Sequence, residues 1–168
     1  MKTLFLYRHG KSDWDADYYG DYNRPLAKRG KKAADLMGRF LQATRQVPDV
    51  IISSGALRAW TTVIRSIEAG DWNVAKVIRQ TELYSADTRT LLSYIHALDD
   101  NHTSVMLVGH EPTWSEMVSH CIGGGEVRFP TAAIARIQFE KDRWSDIRFG
   151  TGELVALFPP RHLPHIQA

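Results

Sequence analysis

The chain has 168 residues, enough for one domain with a substantial buried core. Its 21 Lys and Arg nearly balance its 19 Asp and Glu, so the composition gives no indication of nucleic-acid binding. The single cysteine, Cys121, excludes an internal disulfide framework and favours a reducing compartment. The apolar run at residues 4–7 is too short for a signal-peptide core, so we expect a soluble, cytoplasmic protein without a membrane segment.

Hydrophobic periodicity predicts strands that alternate with helices along the first half of the chain. In order they are a strand over 2–7, a helix ending near 41, a strand over 50–52, a helix over 56–69 and a short strand at 77–78. The polar stretch 12–23 has no period and predicts a surface loop, and residues 81–84 are also expected to form a loop. Asp87 is a candidate N-cap for the helix that follows.

The second half continues this alternation and ends in two strands. A strand over 104–108 precedes Glu111-Pro112, which begins a helix that ends near residue 121. The late strands, over 132–139 and 154–158, can pair antiparallel at an edge of the sheet. The pattern predicts an α/β fold, a single domain with three α/β/α layers around a mostly parallel sheet. The predicted boundaries are a domain over 1–158 and a C-terminal tail of irregular coil over 159–168.

Polar residues follow three of the predicted strands. Arg8 and His9 come directly after the first strand, Arg58 lies just beyond the second, and His110 follows the strand over 104–108. Open α/β sheets bind ligands at the carboxyl ends of their strands, and Arg is rarely buried without an anionic partner. A lone histidine is more often a core residue. Two Arg and two His at one edge of the sheet instead predict a site for a phosphate dianion.

Other patterns that resemble phosphate or metal sites are weaker. Gly10-Lys11-Ser12 imitates the end of a P-loop, but Phe5 stands where that motif has its first glycine, and no helix pattern follows. The triple glycine at 123–125 has no strand before it, which favours an ordinary turn. No metal site is predicted, because none of the remaining histidines has ligand spacing to acidic or Cys partners: His96, His102, His120, His162 and His165.

Three segments make the chain resemble the histidine phosphatase superfamily, which also includes the cofactor-dependent phosphoglycerate mutases. They are Arg-His-Gly at 8–10, Ser-Ser-x-x-x-x-Arg-Ala-x-x-Thr at 53–62 and Gly-His-x-Pro at 109–112. The chain is most similar to the short SixA-like phosphohistidine phosphatases, and the resemblance extends to Arg24-Pro25-Leu26, Phe129-Pro130-Thr131 and Gly152-Glu153-Leu154. It spans nearly the whole chain.

This resemblance implies that His9 is the nucleophile. Its Nε2 would attack phosphorus and form a phosphohistidine that water hydrolyses. The attack needs a neutral ring whose other nitrogen donates its proton to a fixed acceptor, for which we expect a backbone carbonyl. Arg8, Arg58 and His110 would hold the phosphoryl oxygens and stabilise the transition state. No metal or other cofactor is required.

Three further residues each have two possible interpretations. Many members of the superfamily take a general acid from the region of Glu82, and the alternative is an ordinary loop carboxylate. Lys11 and Ser12 are predicted to bind phosphate at the rim of the pocket, and the alternative is a solvated position.

We therefore expect a phosphatase that acts on phosphate monoesters or phosphoramidates through His9, with protein phosphohistidine as the preferred substrate. The interval from Arg58 to His110 is short and leaves little chain to build a lid, so the site should admit a side chain of another protein. One alternative is a phosphatase for small phosphate esters such as sugar phosphates. Another is a non-catalytic phosphate-binding module, which would gain nothing from a neutral nucleophilic imidazole.

Overall fold

The structure is a computed structural model that describes residues 1–164, in which six strands form one sheet. The strands are β1 (Lys2–Arg8), β2 (Val50–Ser54), β3 (Lys76–Gln80), β4 (Ser104–Gly109), β5 (Ile134–Phe139) and β6 (Gly152–Phe158). The helices in the same range are α1 (Lys28–Ala43), α2 (Leu57–Gly70), α3 (Thr88–His96) and α4 (Thr113–Ile122). The sheet order is β3-β2-β4-β1-β5-β6.

The sheet is mostly parallel, as the alternation of elements predicts. Strands β3, β2, β4 and β1 run parallel, whereas β5 pairs antiparallel with β1 and β6 pairs antiparallel with β5. Because β2, β4 and β1 are neighbours in the centre of the sheet, the residues that follow them emerge at the same edge. The predicted α/β fold, including its antiparallel edge, is confirmed.

Alternating side chains of the central strands pack on opposite faces of the sheet. In β1, Phe5 and Tyr7 belong to a buried cluster that includes side chains of α1 and α2. Leu4 and Leu6 belong to a second cluster that includes side chains of α3 and α4. Helices therefore cover both faces, which gives the three predicted layers. No helix within residues 1–164 has the length and apolar character needed to cross a membrane.

Several element boundaries differ from the prediction. Helix α4, expected to begin at Glu111-Pro112, begins at Thr113, with Pro112 at its N-cap position. The strand expected from residue 132 begins at Ile134, because Ala132 has φ 60°, outside the range of a strand. Residues 81–84 form one turn of 3-10 helix. Asp87 is the N-cap of α3, and its carboxylate accepts a hydrogen bond of 2.9 Å from Thr90 N.

The C-terminal segment that the structure describes is not wholly irregular. Pro160–His162 form a short 3-10 helix, and the half-buried Leu163 packs against the cluster under α1. The rest of the predicted tail, including His165, lies outside the described residues. The proposed domain boundary at residue 158 stays a prediction.

Candidate active site

Backbone hydrogen bonds from three segments fix the position of His9. Its N–H donates to Gly109 O at the end of β4 (3.0 Å), and its carbonyl accepts from Ala132 N (3.0 Å). The next residue, Gly10, donates its N–H to Oγ1 of Thr62 on α2 (2.9 Å). The backbone that carries the candidate nucleophile is thus tied to β4, α2 and the segment before β5.

The ring of His9 is held in one tautomer. Its Nδ1 lies 2.7 Å from the carbonyl oxygen of Gly10, and a carbonyl can only accept, so Nδ1 carries the proton and Nε2 keeps its lone pair. Burial lowers the pKa of His9 to about 4, and the charges of Arg58, Arg8 and Arg24 act in the same direction, against the Gly10 hydrogen bond. The imidazole is therefore neutral near pH 7.

His110 faces His9 across the site, with the two ring centroids 5.3 Å apart. Its Nε2 lies 2.8 Å from Oγ of Ser54 at the end of β2. Burial, followed by the proximity of His9 and Arg58, lowers the pKa of His110 to about 3. His110 is therefore also neutral near pH 7, and it would contact a phosphoryl oxygen as a hydrogen-bonding group rather than as a cation.

The structure adds a third arginine, Arg24, to the two that sequence reasoning placed in the site. Its Nε donates to Ser12 Oγ (2.9 Å), and its guanidinium carbon lies 3.6 Å from the centroid of the Trp14 ring. Its side chain is only 6 % exposed. The Arg24-Pro25-Leu26 segment is part of the family resemblance, but its position after an aperiodic loop gives no reason to place Arg24 beside His9.

One acidic residue, Asp21, joins these arginines. Its carboxylate accepts hydrogen bonds from Nη2 of Arg58 (3.0 Å) and the hydroxyl of Tyr84 (2.5 Å), and it forms an ion pair with Arg24. The hydrogen bond from Tyr84, together with Arg58 and Arg24, lowers the pKa of Asp21 to about 2. The carboxylate is thus ionised near pH 7 and offsets part of the arginine charge. The predicted surface loop that contains Asp21 gave no sign of this contact.

A cavity of about 220 Å³ lies between these groups. Its lining includes six of the seven residues that the sequence suggests for the site: Arg8, His9, Lys11, Ser12, Arg58 and His110. Ser12 is buried and bonded to Arg24, whereas Lys11 is exposed at the rim. Their contact with phosphate stays a prediction.

The seventh residue, Glu82, is not among the residues that line this cavity. It is exposed on the 3-10 turn at 81–84, where Gln80 donates a hydrogen bond to its carboxylate. The carboxylate at the cavity is instead that of Glu111, which accepts from Ser115 N (3.0 Å) and Ser115 Oγ (2.6 Å). A general-acid role for Glu82 stays a prediction.

Comparison with known proteins identifies the family of the chain. The model of the histidine phosphatase superfamily (branch 1) matches residues 4–85. An uncharacterized protein of Mycobacterium leprae (strain TN) is 32 % identical over 167 residues, which is 92 % of this chain and 99 % of that protein. The chain belongs to the histidine phosphatase superfamily. The matched range includes the first two motifs of the resemblance, at 8–10 and 53–62, and ends before Gly-His-x-Pro at 109–112.

Two solved structures share the fold of this histidine phosphatase over nearly its full length. The protein histidine phosphatase SixA, complexed with tungstate, has a TM-score of 0.80 and 26 % identity, with 96 % of this chain and 99 % of SixA covered. The mycobacterial glucosyl-3-phosphoglycerate phosphatase, complexed with VO3, has a TM-score of 0.69 and 17 % identity, with 93 % and 98 % covered. The second likeness concerns the fold alone.

Proposed function

We propose that this histidine phosphatase hydrolyses phosphohistidine on proteins through a covalent phosphohistidine on His9. The observation that carries the proposal is the 2.7 Å hydrogen bond from His9 Nδ1 to Gly10 O. It leaves the Nε2 lone pair available, which is the state that attack on phosphorus requires. The cytoplasmic location expected from the cysteine content belongs to the same proposal.

The first step transfers the phosphoryl group to the enzyme. Arg8, Arg24 and Arg58 hold its oxygens and stabilise the negative charge of the transition state, and His110 adds a neutral hydrogen bond. His9 Nε2 forms a bond to phosphorus while the bond from phosphorus to the substrate imidazole breaks. The electron pair of that bond stays on the departing nitrogen, which takes up a proton from water.

The second step returns the enzyme to its starting state. A water molecule attacks the phosphorus of the phosphohistidine on His9, and the bond from Nε2 to phosphorus breaks. Inorganic phosphate leaves with the water oxygen, and the lone pair returns to Nε2. Because Nδ1 stays bonded to Gly10 O throughout, the ring need not change its tautomer between turnovers.

The carboxylates around the site favour a phosphoramidate over an alkyl ester. An alkoxide leaving group needs a proton in the transition state, whereas an imidazole leaves more readily. Asp21, with its pKa lowered to about 2, is ionised near pH 7 and makes a poor acid, and Glu111 is engaged by Ser115. The likeness to a solved protein histidine phosphatase supports the same substrate class.

The proposal is tested by comparing kcat/KM for a phosphohistidine protein with kcat/KM for sugar phosphates, using His9→Ala as the control. We expect the phosphohistidine protein to be the better substrate and a phosphate adduct on His9 to be visible by mass spectrometry after rapid quenching. Faster turnover of sugar phosphates would favour the small-ester alternative. Phosphate binding without turnover of any substrate would favour the binding module.

A further inference from the structure

A groove of about 890 Å³ lies directly beside the 220 Å³ catalytic cavity and is about four times as large. One wall is the stretch of α1 from Arg29 to Arg39, and residues 128–131 and parts of 160–163 form most of the rest. The groove and the cavity share three residues, Arg8, Lys11 and Thr131. The groove therefore adjoins the site at His9, and a ligand bound in the groove would lie next to that site.

This basic groove carries an excess of positive charge. Seven Lys and Arg side chains line it, against the single carboxylate of Asp35. That carboxylate is already paired with Arg65, which lies outside the lining and donates from Nε (3.0 Å) and Nη2 (2.6 Å). Within residues 1–164, none of Arg29, Lys32 and Arg128 has an ion pair. A ligand that complements this positive charge is an anion with several negative groups.

The distribution of these charges distinguishes between possible anions. The lining residues of α1 run from Arg29 to Arg39, ten steps along the helix, or about 15 Å at a helical rise of about 1.5 Å per residue. A second phosphate on a small ester would be held by cations that converge on one point. Cations spread along a helix instead match carboxylates spaced along a polypeptide. Leu36, Phe129 and Leu163 add apolar surface between them, which suits the apolar side chains of such a segment.

We propose that the basic groove binds an acidic segment of the phosphorylated protein, and that this segment belongs to the chain that carries the phosphohistidine. Docking there would hold the phosphoryl group at His9 and select substrates by the charge next to the phosphorylated residue. The proposal rests on the proposed function, because it names the surface of the enzyme that recognises the protein substrate.

A matched pair of variants on α1 isolates the groove. Arg29→Glu with Lys32→Glu reverses two charges in its wall, and Lys28→Glu with Lys31→Glu makes the same change on neighbouring exposed residues that do not line it. Both pairs put negative charge in the first turns of α1, where the helix dipole favours it, so neither should unfold the protein. Thermal melting checks that both variants stay folded.

Binding is measured first, without catalysis. The probe is a fluorescent, unphosphorylated peptide with four Glu among apolar residues, and its reference replaces each Glu with Gln. Binding is followed by fluorescence anisotropy. We expect the unmodified enzyme to bind the Glu peptide at least about tenfold more tightly than the Gln peptide, and this preference should fall as salt is added. Lys28→Glu with Lys31→Glu should keep most of this preference, and Arg29→Glu with Lys32→Glu should lose it.

Kinetics then test whether docking serves the reaction. The substrates are the same two peptides with one phosphohistidine each, and free phosphohistidine. In Arg29→Glu with Lys32→Glu, we expect KM for the Glu peptide to rise about tenfold, with kcat and the turnover of free phosphohistidine unchanged. A uniform fall on all three substrates would mean damage to the catalytic site and would overturn the proposal.

Other outcomes separate the two proposals. Turnover of free phosphohistidine without any preference between the peptides would overturn the groove proposal alone. A complete lack of turnover of free phosphohistidine and of both phosphohistidine peptides would overturn the proposed function itself. Equal loss of peptide binding in both variant pairs would show a general charge effect and refute a specific groove. Slower turnover of a small bisphosphate in Arg29→Glu with Lys32→Glu, with the peptides unaffected, would assign the groove to small substrates instead.

Discussion

The pH dependence of the reaction tests the neutral state of His9. Burial and the nearby arginines lower its pKa to about 4, whereas an ordinary histidine titrates near 6.5. Only the neutral ring has the Nε2 lone pair, so activity follows the neutral fraction. At pH 5 this fraction is about 90 % for a pKa of 4 and about 3 % for an ordinary histidine. We therefore expect kcat/KM to change by less than about twofold through His9 between pH 7 and pH 5, and to fall near pH 4.

The assay is kcat/KM between pH 3.5 and pH 8, because this quantity reports the ionisation of the free enzyme. The substrate's own phosphoryl group also titrates, so two substrates with different phosphoryl pKa values are needed. A fall in kcat/KM at the same pH for both substrates is due to a group on the protein. His110, with its pKa lowered to about 3, stays neutral over most of this range. A fall in kcat/KM near pH 6.5 for both substrates would refute a lowered pKa of His9, because it would show that His9 is protonated as readily as an exposed histidine.

Four further predictions concern single side chains and bound ions. His9→Ala should lower kcat/KM at least ~10³-fold with an unchanged circular dichroism spectrum, and a variant that keeps a tenth of the activity would exclude His9 as the nucleophile. Arg24→Lys should lose at least ~10-fold in kcat/KM, because a lysine cannot stack on Trp14 and hold Ser12 and Asp21 in one geometry; full activity would place Arg24 outside the reaction. Glu82→Gln is assayed on an alkyl ester and on phosphohistidine. Because Glu82 is exposed, we expect small and equal effects on the two substrates. If Glu82 is the general acid, hydrolysis of the ester should instead fall by ~10²-fold or more. Activity should survive EDTA, since the proposed charge stabilisation comes from arginines; loss that a divalent ion restores would contradict the mechanism.

The strand-end residues could be placed from the sequence because parallel strands obey a simple geometric rule. Buried apolar runs located β1, β2 and β4, and the carboxyl ends of parallel strands meet at one edge of a sheet. Once three such strands are neighbours, His9 and His110 must lie close together, and their rings are 5.3 Å apart. No knowledge of loop conformation was needed for this part of the site.

The loop residues of the site could not be placed in this way. The path of residues 12–27 is set by long-range contacts, such as the hydrogen bonds from Asp13 N to Pro25 O and from Ala27 N to Lys11 O, both 2.8 Å. Close packing of Gly30 against the backbone of Lys11 also contributes, since a Cβ on Gly30 would come within 2.2 Å of the Lys11 oxygen. None of these contacts has a periodic signature, so Arg24 and Asp21 were missed.

Glu82 shows a different limit of sequence reasoning. A motif places a residue in a region of the chain, but the direction of its side chain depends on the local backbone. Here the 3-10 turn over 81–84 buries Leu83 and exposes Glu82. The same turn brings the hydroxyl of Tyr84 to Asp21. A strand or an irregular loop at these positions would present different side chains to the site, and the sequence does not distinguish these possibilities.

In the proposed mechanism, the arginines that bind phosphate also prepare the nucleophile. In the free enzyme, burial and the charges of Arg8, Arg24 and Arg58 keep His9 unprotonated, so no proton has to be removed before Nε2 attacks. A bound phosphoryl dianion would offset the charges of these three arginines, so that they no longer disfavour a positive charge on the ring of His9. In the proposed transfer step, the imidazole would gain positive charge as Nε2 bonds to phosphorus, while the dianion lies between the ring and the arginines. The same three cations would thus favour the neutral ring before binding and allow a charged ring during transfer.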